Sequence, residues 1–205
     1  MRSKFLTLLL IYTVGILLTT SCKDDEVEKM EVQLATTPLY DTLGWFIQGA
    51  AGAVAGQGTK MITDPQDSTS KIQAGRLAIR TVVEASELVL AGDTALAVYF
   101  PTLLAEVGKG DKSGFIELRE NLTDLIQQVA SGQKNVYKGL DMVKTHDFKT
   151  NPRFGSAVND KADDADFDRF IGDVVIAMTA LKVPTSVQAQ LGAALESTRS
   201  QVVQK

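Results

Sequence analysis

An all-α domain is what this sequence predicts, and three observations predict it. Apolar residues recur three and four apart over most of the chain, the spacing that places them on one face of an α-helix. Period-2 strand patterns are essentially absent. Only 6% aromatic residues and 16 glycines among 205 residues argue against a dense aromatic β-sandwich. With 44% apolar residues, a chain of this length can bury one domain-sized core.

The elements follow in order. Residues 23–37 are charged, then small and polar, and suit a tether. Residues 46–70 hold Gly49, Gly52, Gly56 and Gly58, then the turn-rich run Thr63-Asp64-Pro65-Gln66-Asp67, and read as a flexible or weakly helical insertion. Ile72, Ile79, Val82/Val83 and Val89/Leu90 make a helix stopped by Gly92, and Ala95 to Val107 a shorter one interrupted by Pro101. Phe115, Leu118, Leu122, Leu125/Ile126 and Val129 form the clearest stripe, with Ser113 placed to cap its start and Gly132 at its end. Residues 147–163, with Pro152, Gly155 and Asn159, read as a long loop. Asp163 to Asp166 bring negative charge to the start of a helix carrying Phe167, Phe170/Ile171, Val174/Val175, Met178 and Leu181. Pro184 separates it from a last helix through Val187, Leu191, Ala194/Leu195, Thr198 and Val202.

Composition also limits function. The net charge of −4, from 21 Lys+Arg against 25 Asp+Glu, offers no electrostatic footprint for nucleic acid. One Cys forms no internal disulfide, and one Cys with one His builds no zinc site of the usual kind. Asp163, Asp164, Asp166 and Asp168 lack the spacing and closing Glu of an EF-hand. Gly58-Thr59-Lys60 reverses the order of a phosphate-binding loop.

The single Cys is placed where a lipid acceptor would be. Arg2 and Lys4 form a basic n-region, and Phe5 to Leu18 an apolar stretch too short for a comfortable transmembrane helix. Leu18-Thr19-Thr20-Ser21-Cys22 resembles a bacterial lipobox, which implies a signal peptide over residues 1–21 and lipidation of Cys22. Lys23-Asp24-Asp25-Glu26 resembles the acidic tag that sends some lipoproteins to the outer face of the outer membrane. The expected organisation is therefore a signal over 1–21, a lipidated tether over 22–37 and one domain over 38–205, lipid-anchored at the cell surface.

The single His lies in a patterned segment. Tyr137-Lys138-Gly139-Leu140-Asp141-Met142-Val143-Lys144-Thr145-His146 resembles the proximal-ligand segment of group I truncated haemoglobins. Leu39 to Gly44 is similar to that family's N-terminal motif, Leu118 to Ile126 to its distal helix, Tyr99-Phe100 to its aromatic pair, and Ala165 to Asp168 with Leu181 to Pro184 to its penultimate helix and exit turn. The resemblance implies a truncated globin-like helical sandwich with two insertions, about 46–70 and 147–163, and a b-type haem with His146 as proximal iron ligand. It further implies Met142, Phe100, Leu118, Leu122, Leu125 and Ile126 as pocket walls, with Lys144 placed for a propionate. Met61 in the first insertion is a conceivable sixth iron ligand.

Departures from the family shape the functional expectation. Its second-helix Phe-Tyr falls here on Ala85-Ser86 or Ser86-Glu87, and its distal glutamine on Leu122 with Leu118 one turn earlier. An apolar roof lacks the hydrogen bond, typically about 1 kcal/mol, that holds a polar ligand. The leading expectation is a surface-anchored haem-binding lipoprotein serving haem capture or storage, or binding of O2, NO or CO, with a surface receptor or transporter as a further conceivable partner. The alternatives are a haem-free globin-like interaction module and a nitric-oxide dioxygenase using Tyr99 or Ser86 as distal donor. The balance leans away from catalysis.

Overall fold

The computed structural model describes residues 37–147, 149, 151, 153 and 161–205. The signal segment, Cys22, the tether as far as residue 36 and most of the second insertion lie outside the described residues. The ordered elements are α1 (Pro38–Ile47), β1 (Met61–Asp64), β2 (Asp67–Gln73), α2 (Ala74–Gly92), a 3-10 turn (Ala97–Tyr99), α3 (Pro101–Gly108), α4 (Ser113–Ser131), α5 (Met142–Thr145), α6 (Asp164–Ala180), α7 (Thr185–Glu196) and α8 (Arg199–Val202). The fold is all-α apart from one antiparallel hairpin. No described helix is long and apolar enough to cross a membrane.

Local chemistry sets most boundaries. Thr37 caps α1 by accepting a hydrogen bond from the Tyr40 backbone N–H, and Pro38 occupies the first turn, where a missing N–H costs nothing. α4 ends on Gly132 in the left-handed conformation (φ 70°). α6 opens with a capping box in which the Asp163 carboxylate accepts from the Asp166 N–H while Asp166 accepts from the Asp163 N–H. Ser113, expected as the cap of α4, is instead its first residue. The carboxylate that accepts the Ser113 N–H belongs to Asp111. The expected last helix is broken at Ser197–Thr198, where Thr198 Oγ1 turns back to the Leu195 carbonyl.

The first insertion departs most from expectation. In place of a flexible or weakly helical segment, residues 61–73 form the β1–β2 hairpin, turning at Pro65-Gln66, and Ile72 belongs to β2 rather than to the following helix. The glycine run ahead of it packs against α1. The Gly58 N–H donates to the buried Asp41 carboxylate at 2.8 Å. A Cβ on Gly44 would lie 2.6 Å from the Gly58 Cα, so the two backbones touch where neither residue has a side chain. Period-2 patterning missed the hairpin because its residues are mostly exposed on both faces, leaving Ile72 and Asp64 as the buried positions.

Helix α2 is the centre of the packing, in contact with α1, α4, α6 and both strands. Its Ala78, Ile79, Val82 and Val83 join Tyr40 and Leu43 of α1, Ile126 and Ala130 of α4, Val174 and Met178 of α6, and Leu191 and Leu195 of α7 in one apolar core. Tyr40 is fully buried, with its hydroxyl donating to Gln73 Oε1 at 2.7 Å, and burial pushes that phenol well above its ordinary range. On another side of α2, Arg76 pairs with Glu120 (2.8 Å) and Asp124 (2.5 Å) of α4, and Arg119 of α4 pairs with Glu84 (3.0 Å).

The hairpin is held by a buried bidentate pair, Arg80 Nη1 and Nη2 to Asp64 at 2.9 and 2.6 Å. Those hydrogen bonds, with one from the Gln66 N–H, hold the Asp64 carboxyl down at about 2. A carboxylate whose pKa falls on folding adds stability above its unfolded value near 4 and loses it as pH drops through the folded value. Removing one partner also strands a buried guanidinium. Asp64→Asn is therefore expected to lower stability by roughly 3 kcal/mol at neutral pH, with the difference from wild type narrowing below about pH 4. Urea unfolding at several pH values measures this, and a variant that unfolds like wild type at neutral pH would show that the pair does not hold the hairpin.

Candidate functional site

His146 follows the last residue of the one-turn helix α5, and its placement is built from short-range bonds. Asp141 caps α5, accepting from the backbone N–H groups of Val143 and Lys144 at 3.1 and 3.3 Å. Tyr137 and Thr145 both donate their hydroxyls to the Leu140 carbonyl, at 2.8 and 3.2 Å, which fixes the turn into the helix. From the far end of the chain, Gln204 Nε2 donates to the Val143 carbonyl at 2.7 Å and its backbone N–H to Ala162 at 3.0 Å. The C-terminal segment thus clamps α5.

The imidazole is oriented by the same turn. Nδ1 lies 2.9 Å from the Met142 carbonyl, which can only accept, so Nδ1 carries the hydrogen. The lone pair is left on Nε2, which nothing among the described residues binds. Burial pushes the imidazole below its ordinary value, and the Met142 carbonyl opposes that more weakly. A neutral, tautomerically fixed imidazole is the form that donates to a transition metal.

The ring lines a cavity of about 210 Å³. Leu118, Leu122 and Leu125 of α4 form one wall, Phe100 and Leu96 another, and Phe167 and Phe170 of α6 a third, with Met142 beside His146. Of the residues singled out from sequence, His146, Met142, Phe100, Leu118, Leu122 and Leu125 meet here. Ile126 and Lys144 do not. Ile126 points into the core against α2 because it lies about 100° around the helix from Leu125, and Lys144 is exposed on α5. Met61 is half-exposed on β1, away from the cavity lining, and supplies no sixth ligand there.

The polar residues of the lining are mostly committed. Tyr99 donates its hydroxyl to Asp166 Oδ2 at 2.6 Å, Thr198 to the Leu195 carbonyl, and Tyr137 and Thr145 to Leu140. Ser86, the other donor considered from sequence, gives its hydrogen to the Val82 carbonyl and lies outside the lining. Asn121 is the exception: its amide lines the cavity with no hydrogen-bond partner among the described residues. Sequence spacing missed it because a polar residue between Leu118 and Leu122 reads as the start of the solvent face. The acidic cluster is likewise occupied, Asp163 and Asp166 in the capping box and Asp164 and Asp168 against Arg199. Among the described residues no group of acids, His and Cys could hold a bare metal ion.

One imidazole with a free Nε2, facing aliphatic and phenyl walls, fits a flat apolar macrocycle carrying its own metal. No lysine or arginine lines the cavity to meet an acidic substituent.

Comparison with protein-family models and with curated proteins gives no match. Among solved structures the chain is similar to truncated hemoglobin from Tetrahymena pyriformis, in the Fe(III) forms of a Tyr-to-Phe and a Gln-to-Glu mutant. Each is 18% identical, with a TM-score of 0.47, covering 62% of this chain and 91% of the other.

Because the chain has one His, its imidazole can be followed alone. It is expected to titrate below the ordinary histidine range, because burial disfavours the imidazolium. A group with a depressed basic pKa adds stability above its unfolded value and loses it as pH falls through that value, since the unfolded chain then takes up the proton. Proton NMR of the His146 ring measures the midpoint. A midpoint at or above that of a free histidine would mean that the ring is not buried as described.

Proposed function

We propose that this protein is a lipid-anchored, surface-exposed haem-binding globin in which His146 is the proximal iron ligand. The observation that carries the reading is the His146 geometry: Nδ1 held by the Met142 carbonyl, Nε2 unpaired, at the wall of an apolar cavity. The ordered resemblance of six sequence segments to group I truncated haemoglobins supports it independently. Haem, if bound, would be held by His146 and would supply an iron able to bind a small ligand.

The chain's own residues do the rest. Asp141, the Leu140 carbonyl cluster and Gln204 hold α5 and hence the ring. Met142, Phe100, Leu118, Leu122 and Leu125 exclude water from the face of the macrocycle. Asn121 offers the one uncommitted amide of the lining to a polar ligand. With Tyr99 and Ser86 both engaged, the site favours capture or storage of haem, or binding of a diatomic gas, over dioxygenase chemistry. Cys22 in the lipobox-like segment, followed by the acidic residues Asp24 to Glu26, supports membrane anchoring at the cell surface. Labelling with palmitate in wild type, lost in Cys22→Ala, tests that anchor.

Two expectations follow for the site. Adding hemin to the purified protein is expected to give a Soret band at one haem per chain, and His146→Ala to remove its six- or five-coordinate signature while the helical circular dichroism persists. No band in the wild type would overturn the haem reading in favour of a haem-free interaction module. In the loaded protein, Asn121→Leu is expected to weaken a polar diatomic ligand by roughly fivefold, the equivalent of one hydrogen bond of about 1 kcal/mol. Unchanged affinity would remove Asn121 from the ligand side.

A further inference from the structure

Among the described residues, Glu87 is the one charged residue of α2 whose side chain makes no hydrogen bond or ion pair. It is 4% exposed, and its Oε1 makes no hydrogen bond. An unpaired buried carboxylate is costly, so its presence calls for a role. Glu87 lines a small recess of about 20 Å³ between α2, the 3-10 turn, α3 and α4. That volume holds one water, but the remaining walls are apolar and would offer it a single polar partner. Leu90, Phe100 and Leu118 wall this recess and also the His146 cavity.

A second orphan belongs to the α4 residue whose charge acts on Glu87. Arg119 of α4 spends Nη1 on Glu84, while its Nε is buried with no acceptor. An acceptor of α2 and a donor of α4, both unpaired among the described residues, therefore belong to two residues that interact electrostatically across the α2–α4 contact. The charges acting on Glu87 are Arg119 and Glu120 from α4 and Glu84 from its own helix. The 3-10 turn and α3 bring only Ala97, Phe100, Leu103 and Leu104 to the recess. On α1, Asp41 is bonded to the Gly58 N–H; on α6, Asp173 is engaged with Asp93 and Arg169 instead. Burial raises the Glu87 carboxyl to about 7, opposed by Arg119 and reinforced by Glu84 and Glu120.

We propose that Glu87 and Arg119 form a proton-operated latch in the wall of the cavity. Protonated, Glu87 rests neutral in the apolar recess in the conformation seen here. When its proton leaves to solvent, the carboxylate turns to the Arg119 Nε–H, and the new ion pair re-seats Leu118, the neighbour of Arg119 that walls both spaces. The cavity's shape, and with it haem retention, then depends on pH near neutrality. Only this last consequence rests on the haem reading above.

The test has one arm without haem and one with it. In the haem-free full-length chain, difference infrared spectra are expected to show a protonated-carboxyl C=O band lost with a midpoint of about 7. The band should be absent in Glu87→Gln and shifted upward by about one pH unit or more in Arg119→Gln, which removes the favourable charge. No such band in the wild type, or an unshifted midpoint in Arg119→Gln, overturns the latch, and neither observation depends on Glu87→Gln folding. In the second arm, hemin affinity of the wild type is expected to change about threefold or more across that midpoint. Glu87→Gln should retain only the pH dependence owed to His146. Equal profiles in the two proteins also overturn the coupling. A protein that shows the infrared titration but takes up no hemin retains the latch and loses the haem reading.

Discussion

A row of charged residues on α2 constrains the rest of the molecule. Arg76, Arg80, Glu84 and Glu87 stand four, four and three residues apart, so they share one face of the helix while Ile79, Val82 and Val83 occupy the core face. A central helix packed by α1, α4, α6 and a hairpin leaves such a row little water, and each charge must find a partner inside the protein. Arg76 finds Glu120 and Asp124, Arg80 finds Asp64, and Glu84 finds Arg119. These pairs set the distance of α4 from α2 and anchor the hairpin. Glu87, the last of the row, is left without one, and it lies where the α2–α4 contact gives way to the cavity.

The cavity follows from that arrangement. α4 is tied to α2 on the side of Glu120 and Asp124, and it turns Ile126 and Ala130 into the core. The adjacent stripe of Leu118, Leu122 and Leu125 faces across the cavity to the 3-10 turn, α6 and the short helix that His146 follows. Closure on that side comes from the C-terminal segment, where Val202 and Thr198 join the lining and Gln204 bonds the α5 backbone. Rigid helices thus supply the walls. The imidazole itself is positioned by a loop-borne turn held by Tyr137, Asp141 and, from the C-terminal segment, Gln204.

Much of this was legible in the sequence, and the misses share a cause. The stripes of α2, α4, α6 and α7 are one-dimensional facts, since a helix's buried face repeats at 3.6 residues whatever it packs against. Gly132 and Asp163 at helix ends are equally local. The β1–β2 hairpin escaped because it is pinned through Arg80–Asp64 and Asp41–Gly58, contacts 16 and 17 residues apart between polar groups, with no apolar alternation to betray it. Ser113 is the first residue of α4 rather than its cap, with its N–H taken by Asp111, because the local backbone starts the helix after Lys112. Ile126 and Leu125 could not be assigned to core or cavity from spacing, because both belong to the same apolar stripe.

By itself, then, the sequence determined the helical class, the order of the helices and the singular standing of His146 and Cys22, since each is a matter of residue identity and local periodicity. Tertiary structure alone decided that His146 is neutral, holds its hydrogen on Nδ1 and turns Nε2 free, because those properties come from a carbonyl one turn away and from the water excluded around it. It alone also separated Glu84 from Glu87. The two are the same residue type on one helix face, but Arg119 spends a donor on the first and acts on the second only through its charge. Which of two identical acids is paired depends on the distance between helices, a quantity that no single segment of chain contains.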